Sequence, residues 1–228
     1  MTTYVLVHGA WGGSYGFRHV RRLLAAQGHE VFTPSLTGIG ERSHLTGPLV
    51  SLTTHVLDVV NTVRYEDLDD MVLLGFSYGG MVVTGALDAI GDRVRELVYL
   101  DAFVPADGQS VTSLSPAREV PQGLGAPWLI PPNERAYDSP EIAAFSQPRR
   151  TPQPARTFTE PVRLGAPLEE CGFGLTYIRA TAEPSVAFEA AAARAKASPA
   201  WRYHEIDTGH MVPENRPEEL TAILLGLA

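Results

Sequence analysis

Short apolar runs alternate along this chain with segments whose apolar positions recur every three or four residues. Tyr4-Val5-Leu6-Val7 is the first run and reads as a buried parallel strand. It ends in a glycine-rich turn, His8-Gly9-Ala10-Trp11-Gly12-Gly13. Phe17, Val20, Leu23 and Leu24 follow at helical spacing, with Gly28 as a stop signal. Residues 29–34 predict a second strand closed by Pro34, and Val56, Leu57, Val59, Val60 and Val63 mark the next helix. Met71-Val72-Leu73-Leu74 predicts a third strand, Val82, Val83 and Leu87 a helix, and Leu97-Val98-Tyr99-Leu100 a fourth strand. After a long interruption the alternation resumes. Leu175-Thr176-Tyr177-Ile178 reads as strand, 188–197 as helix, 201–206 as strand and 218–227 as helix. Pro217 stands where the first residue of that last helix belongs, with Glu218 and Glu219 in a turn that favours negative charge.

Strands and helices in this alternation predict an α/β architecture, a mostly parallel sheet with helices on both faces. The interruption, residues 105–170, holds 12 of the 18 prolines and little periodicity, so short helices and irregular turns are expected there. The expected organisation is a single domain over 1–228. Its core is 1–104 plus 171–228, with a short proline-rich cap insertion at about 105–170 lying over one edge of the sheet.

Composition narrows the function classes. A length of 228 residues suits one domain with a sizeable core. The 26 acidic against 18 basic side chains, net −8, argue against a nucleic-acid partner, because phosphate binding relies on clustered Lys and Arg. No apolar run approaches the roughly 18 residues of a membrane helix. The opening Met1-Thr2-Thr3-Tyr4 lacks a basic segment followed by an apolar one, so a cytoplasmic location is expected. Cys171 is the single cysteine, which excludes an intrachain disulfide and a cysteine-based metal site.

The chemistry is concentrated in a few places. Gly75-Phe76-Ser77-Tyr78-Gly79 fits G-x-S-x-G between a predicted buried strand and a helix. Such a turn is tight enough to exclude a Cβ two residues either side of the serine, and it lifts the hydroxyl clear of the sheet. A serine needs a base to take its proton. His210, in Asp207-Thr208-Gly209-His210 after the strand 201–206, lies at the end of the sheet where the other strands finish. His19, His29, His44, His55 and His204 are expected on the surface or in loops, and no metal or other cofactor is expected. Two backbone donors are needed for an oxyanion: Tyr78 supplies one, and Ala10, after the bend that Gly9 allows, supplies the other. His8 is expected to anchor that loop by hydrogen bonding. Thr37-Gly38-Ile39-Gly40-Glu41-Arg42 lacks the third glycine of a nucleotide loop and follows the second strand, so it is expected near the pocket rim.

With H-G-A-W, G-F-S-Y-G-G, Y-L-D-A-F-V-P and D-T-G-H spread over nearly its whole length, the sequence resembles the α/β-hydrolase superfamily. More narrowly it is similar to the branch of plant methylesterases, hydroxynitrile lyases and related bacterial esterases. The resemblance implies the α/β-hydrolase fold and a third catalytic member, an acid. In the commoner arrangement the acid follows the strand before the last, where Glu183 stands 27 residues before His210. Some hydrolases of this fold take it from the preceding strand, which here ends at Asp101. Either carboxylate could orient the imidazole and stabilise its cation. The two remain alternatives.

The implied activity is carboxylic-ester hydrolysis through a Ser77 acyl-enzyme with His210 as general base. Gly9, Trp11, Phe76, Tyr78, Phe103 and Trp128 are expected pocket walls, with Tyr137 and Phe145 as lid contacts. Their aromatic character points to a compact apolar or aromatic ester, thioester or lactone. The expected partner is thus a small-molecule ester, without nucleic acid or membrane, and a homodimer is compatible with the sequence. The competing readings are a lyase or cyclase of a biosynthetic pathway and a ligand-binding receptor. Hydroxynitrile lyases of this branch carry Thr where Gly9 stands and Lys where Met211 stands, and neither is present.

Overall fold

In the computed structural model, which describes residues 1–115, 128–182 and 185–228, the apolar runs form the strands of one parallel sheet. The chain begins β1 (Thr3–Val7), α1 (Arg18–Ala26), β2 (Glu30–Phe32), α2 (Leu52–Tyr65), β3 (Met71–Phe76), α3 (Gly79–Ile90) and β4 (Val94–Leu100). A connection follows that carries only short pieces: α4 (Val111–Leu114), β5 (Leu129–Ile130), α5 (Pro140–Ser146), β6 (Gln153–Pro154) and α6 (Arg156–Thr159). The core resumes with β7 (Gly174–Ala180), α7 (Val186–Ala197), β8 (Trp201–Ile206), α8 (Val212–Asn215) and α9 (Pro217–Leu225). Strand order is β2-β1-β3-β4-β7-β8, and every neighbouring pair is parallel.

Alternate side chains of each strand point to opposite faces, so a sheet covered on both sides must be apolar at every position. All six residues of β3 are buried. Val5, Val7, Leu97 and Tyr99 pack with α2, α3 and α7 on one face. Tyr4, Leu6, Val98 and Leu100 pack with α1 and α9 on the other. Pro217 opens α9, with Glu218 and Glu219 in its first turn.

The topology also decides where a site can form. From β1 the chain moves outward to β2, then returns to β3 on the other side of β1, so strand order reverses between β1 and β3. Ligand crevices open at the carboxyl ends of strands at such a reversal. The register pairs Val7 with Gly75, which brings the turns after β1 and β3 side by side.

The connection between β4 and β7 differs from expectation. It joins two neighbouring inner strands and lies over the carboxyl ends, not over an edge. Trp11 pins it there: its backbone N–H donates to Gln153 Oε1 at 2.8 Å, its indole N–H donates to the Ile130 carbonyl at 2.9 Å, and its carbonyl accepts from Thr151 N at 3.0 Å. The pair of two-residue strands, β5 and β6, was not visible as periodicity because neither is long enough to alternate.

Two buried histidines support the loops behind the crevice. His8 Nδ1 donates to the Gly9 carbonyl at 2.9 Å, and Nε2 accepts from Leu36 N at 3.1 Å. His55, expected on the surface, is instead fully buried on α2. Its Nε2 donates to the Thr37 carbonyl at 2.8 Å, and Nδ1 accepts from the Tyr78 hydroxyl at 2.9 Å. Thr37 therefore braces this layer, its N–H donating to Asp58 at 2.6 Å, while Gly40 of the same segment packs on Gly12 and Gly13 at the rim of the cleft. Among the described residues no helix is long and apolar enough to cross a membrane.

Burial keeps both imidazoles neutral and lowers their proton affinity, His55 to about 4. An unfolded histidine near 6.5 therefore binds its proton before a folded one does. Stability should be fully present above about pH 6.5, fall as pH drops, and for His55 level off near 4, where its folded ring protonates too. Melting temperatures between pH 7.5 and 4 test this. His55→Gln should flatten the slope, and an equally steep slope in that variant would overturn the assignment.

Candidate active site

The end of β3 dictates the geometry. Ser77 adopts φ +55°, a left-handed conformation uncommon for a side chain with a Cβ. A Cβ at Gly75 would approach the Gly79 carbonyl to 2.7 Å, and one at Gly79 would approach the Val7 carbonyl to 2.6 Å. The turn is locked from outside: Ser77 N donates to Leu100 O at 3.1 Å, while Ser77 O accepts from Gly80 N at 3.1 Å and Phe103 N at 3.2 Å.

Three of the residues singled out in the sequence meet here. Ser77 Oγ donates to His210 Nε2 at 2.9 Å, and His210 Nδ1 donates to Asp101 Oδ2 at 2.6 Å. All three are buried. The imidazole stacks on Phe188 at 5.2 Å and 12°, with Phe76 on it at 4.9 Å. Such packing holds the ring plane in line with both partners. Asp101 also has positive φ, +40°, and its N–H is bonded to Ile178 O at 2.7 Å. Glu183, the alternative acid, lies outside the described residues. A hydroxyl bonded to an imidazole, itself bonded to a carboxylate, is chemically equipped to lose its proton as it attacks a carbonyl carbon.

Ser77 stands where two hollows meet. One is a cavity of about 230 Å³, walled by Tyr78, Phe103, Val111, Phe158 and Phe188 with Asn133 as a polar contact. The other is a narrow slot of about 30 Å³ between Gly9, Phe17, Phe76, Met211 and Glu214. Ala10, Trp11, Ser77, Arg135 and His210 border both. Gly9 belongs to this wall by necessity, since a Cβ there would stand 2.9 Å from Ser77 Cβ.

Other expected contacts fall elsewhere. Trp128 is not among the lining residues: it leads into β5, and its carbonyl is tied to Ala155 N at 2.8 Å. Phe145 lies under the guanidinium groups of Arg18 and Arg149, at 3.2 and 3.8 Å from its ring centre, instead of at the cleft. Tyr137 packs against the core cluster that includes Phe76 and Met211 and lies beside Glu214 and Arg150 of the slot, without itself being among the lining residues. The lining residues Phe158, Phe188, Asn133, Arg135, Arg150 and Glu214 were not foreseen. Glu214 is buried beside Ser146, whose hydroxyl it accepts, and burial raises its proton affinity. Among the described residues no three His, Cys, Asp or Glu side chains converge as a metal site requires.

A serine on a strand-to-helix turn, at the carboxyl ends of a parallel sheet and bonded to a histidine from the last loop, defines an α/β-hydrolase. The chain belongs to the alpha/beta hydrolase family, whose profile matches residues 4–223. It is 35% identical to a carbendazim hydrolyzing esterase of Nocardioides sp. (strain SG-4G), over 100% of both chains. It is 30% identical to the alpha-hydroxynitrile lyase of Arabidopsis thaliana, over 54% of this chain and 48% of that one. An extracellular alpha/beta-hydrolase from a Paenibacillus species superposes with a TM-score of 0.82 at 23% identity, covering 100% of this chain and 99% of that one; the likeness is one of fold. By its full-length similarity to an esterase, the chain is an esterase-like hydrolase.

The crowding around the turn yields a stability test. Gly75→Ala and Gly79→Ala should each cost about 1–3 kcal/mol, the usual range for forcing a methyl into a packed position. Urea denaturation measures it, and wild-type midpoints in both would mean that the turn relaxes at no cost.

Proposed function

We propose that this protein hydrolyses small carboxylic esters through an acyl-enzyme on Ser77. The observation that carries the reading is the hydrogen-bonded chain from Ser77 through His210 to Asp101. Ser77 Oγ attacks the ester carbonyl carbon while His210 Nε2 takes the hydroxyl proton. The resulting imidazolium is stabilised by the Asp101 carboxylate. Negative charge develops on the former carbonyl oxygen, where the backbone N–H groups of Ala10 and Tyr78 are the donors. Tyr78 directly precedes α3, so its N–H is among those a helix start leaves without an intrahelical partner. Collapse expels the alcohol, which takes its proton from His210. Water then adds to the acyl carbon as His210 removes a proton, and that proton returns to Ser77 as the acid leaves.

The two hollows suggest how the substrate divides. The aromatic cavity of about 230 Å³ suits a compact apolar or aromatic acyl group. The slot of about 30 Å³ suits a small alcohol. A carbendazim-type substrate, named for the Nocardioides relative, belongs in the first panel of compounds to assay. Against a lyase reading stand the lack of room for any side chain at Gly9 and Met211 in place of Lys.

Ser77→Ala should lower kcat/KM for a 4-nitrophenyl ester by on the order of a thousandfold or more. A fluorophosphonate probe should modify wild type at Ser77 alone, read by peptide mass spectrometry. Near-normal turnover in a folded Ser77→Ala variant, or labelling elsewhere, would remove the nucleophile assignment. Asp101→Asn should lose roughly a thousandfold to ten-thousandfold, and Glu183→Gln less than about tenfold. The reverse ranking would move the acid to Glu183.

A further inference from the structure

Asp101 is held by more than His210. Its Oδ1 accepts from the guanidinium of Arg179 in an ion pair whose side chains are 7% and 2% exposed. The same oxygen faces the Ala180 N–H at 3.3 Å, which leaves Oδ2 for the imidazole. Arg179 and Ala180 close β7, the strand next to β4. A guanidinium is costly to bury and persists there only when paired. Its planar fork can hold a carboxylate in one orientation, which a flexible ammonium does poorly.

We propose that Arg179 is a positioning residue of the ester-hydrolase site: it fixes the Asp101 carboxylate so that Oδ2 meets His210, and its charge keeps His210 a neutral base at mildly acidic pH. The inference rests on the reading of Ser77 as nucleophile and His210 as base. Without Arg179 the Asp101–His210 pair carries an uncompensated negative charge, and it takes up a proton more readily. Among the described residues, the other titratable groups around the pair include Tyr177 on β7, Tyr203 on β8, and Arg135 and Glu214 in the cleft. Burial raises both tyrosines, Tyr203 to about 12, so they stay neutral throughout the range that matters. Glu214, raised by burial, is the one group among these that can titrate alongside His210, and it requires a control.

The test is the acid limb of kcat/KM for a 4-nitrophenyl ester between pH 4.5 and 8, at roughly constant ionic strength. Arg179→Met should move the limb upward by about one pH unit and lower the plateau by about ten- to a hundredfold. Arg179→Lys keeps the charge but not the fork, so its limb should stay near wild type while its plateau falls. If Arg179→Met does not fold, Arg179→Gln should give the same upward shift. The shift should persist in a Glu214→Gln background. An unmoved limb in a folded neutral variant, a Lys variant displaced as far as the Met variant, or loss of the shift in the Glu214→Gln background would each overturn the proposal. Failure of the underlying reading has a different signature: wild type itself would resist the fluorophosphonate or show no acid limb.

Discussion

The abruptness with which β3 becomes α3 governs the rest of the cleft. A strand buried along its whole length gives way to a helix after Phe76, with only Ser77 and Tyr78 to reverse the chain. Ser77 takes positive φ to do so, a strain of about 1–3 kcal/mol in general experience. The hydrogen bond that Ser77 N donates to Leu100 O and those its carbonyl accepts from Gly80 and Phe103 offset that strain, and two of those partners belong to β4 and the segment just beyond it. The turn that presents the serine is therefore fastened to the strand that ends in Asp101. Serine and carboxylate share one frame, and His210 needs only to be brought between them by the loop after β8.

Support for the other side of the cleft is polar but uncharged. His8 and His55 each use one nitrogen as donor and the other as acceptor, bracing Gly9, Leu36, Thr37 and Tyr78 without introducing a buried charge. Both face the turns that carry Ala10 and Ser77, so protonating either would disturb the cleft and the fold together. Trp11, at φ +60°, extends the same frame outward by bonding the connection between β4 and β7 at three backbone or indole groups. The aromatic wall contributed by Phe158 on α6 is thereby tied to the first loop of the chain.

Strands that are apolar on both faces announce themselves in sequence, which is why β1, β3, β4 and β7 were legible to within a few residues. Ser77 and His210 were legible because a strand-to-helix glycine turn and a late loop histidine are local patterns. His55 was misread although a signal existed: Leu52, His55, Val59 and Val63 follow the three- and four-residue spacing of the buried stripe of α2. Trp128 and Phe145 were assigned to the pocket on aromatic character alone, but an aromatic ring is satisfied equally well by packing or by stacked guanidinium groups. Arg135, Arg150 and Phe158 come from the proline-rich connection, whose path is set by long-range bonds and leaves no periodic trace.

The acid could not be chosen from spacing, and the sheet explains why. Strands β4 and β7 are parallel neighbours whose ends are level, with Leu100 opposite Ile178. A side chain just past either end lies beside the other and beside the loop after β8, so a carboxylate on either strand has access to the same imidazole. The structure uses both ends: a carboxylate follows β4 and a guanidinium stands near the close of β7, bonded to one another. A carboxylate buried with no cation beside it would be driven toward its neutral form, and a neutral acid cannot stabilise an imidazolium. Under the proposed mechanism the acid on β4 has its positive partner on the adjacent strand, which ties the identity of residue 179 to that of residue 101.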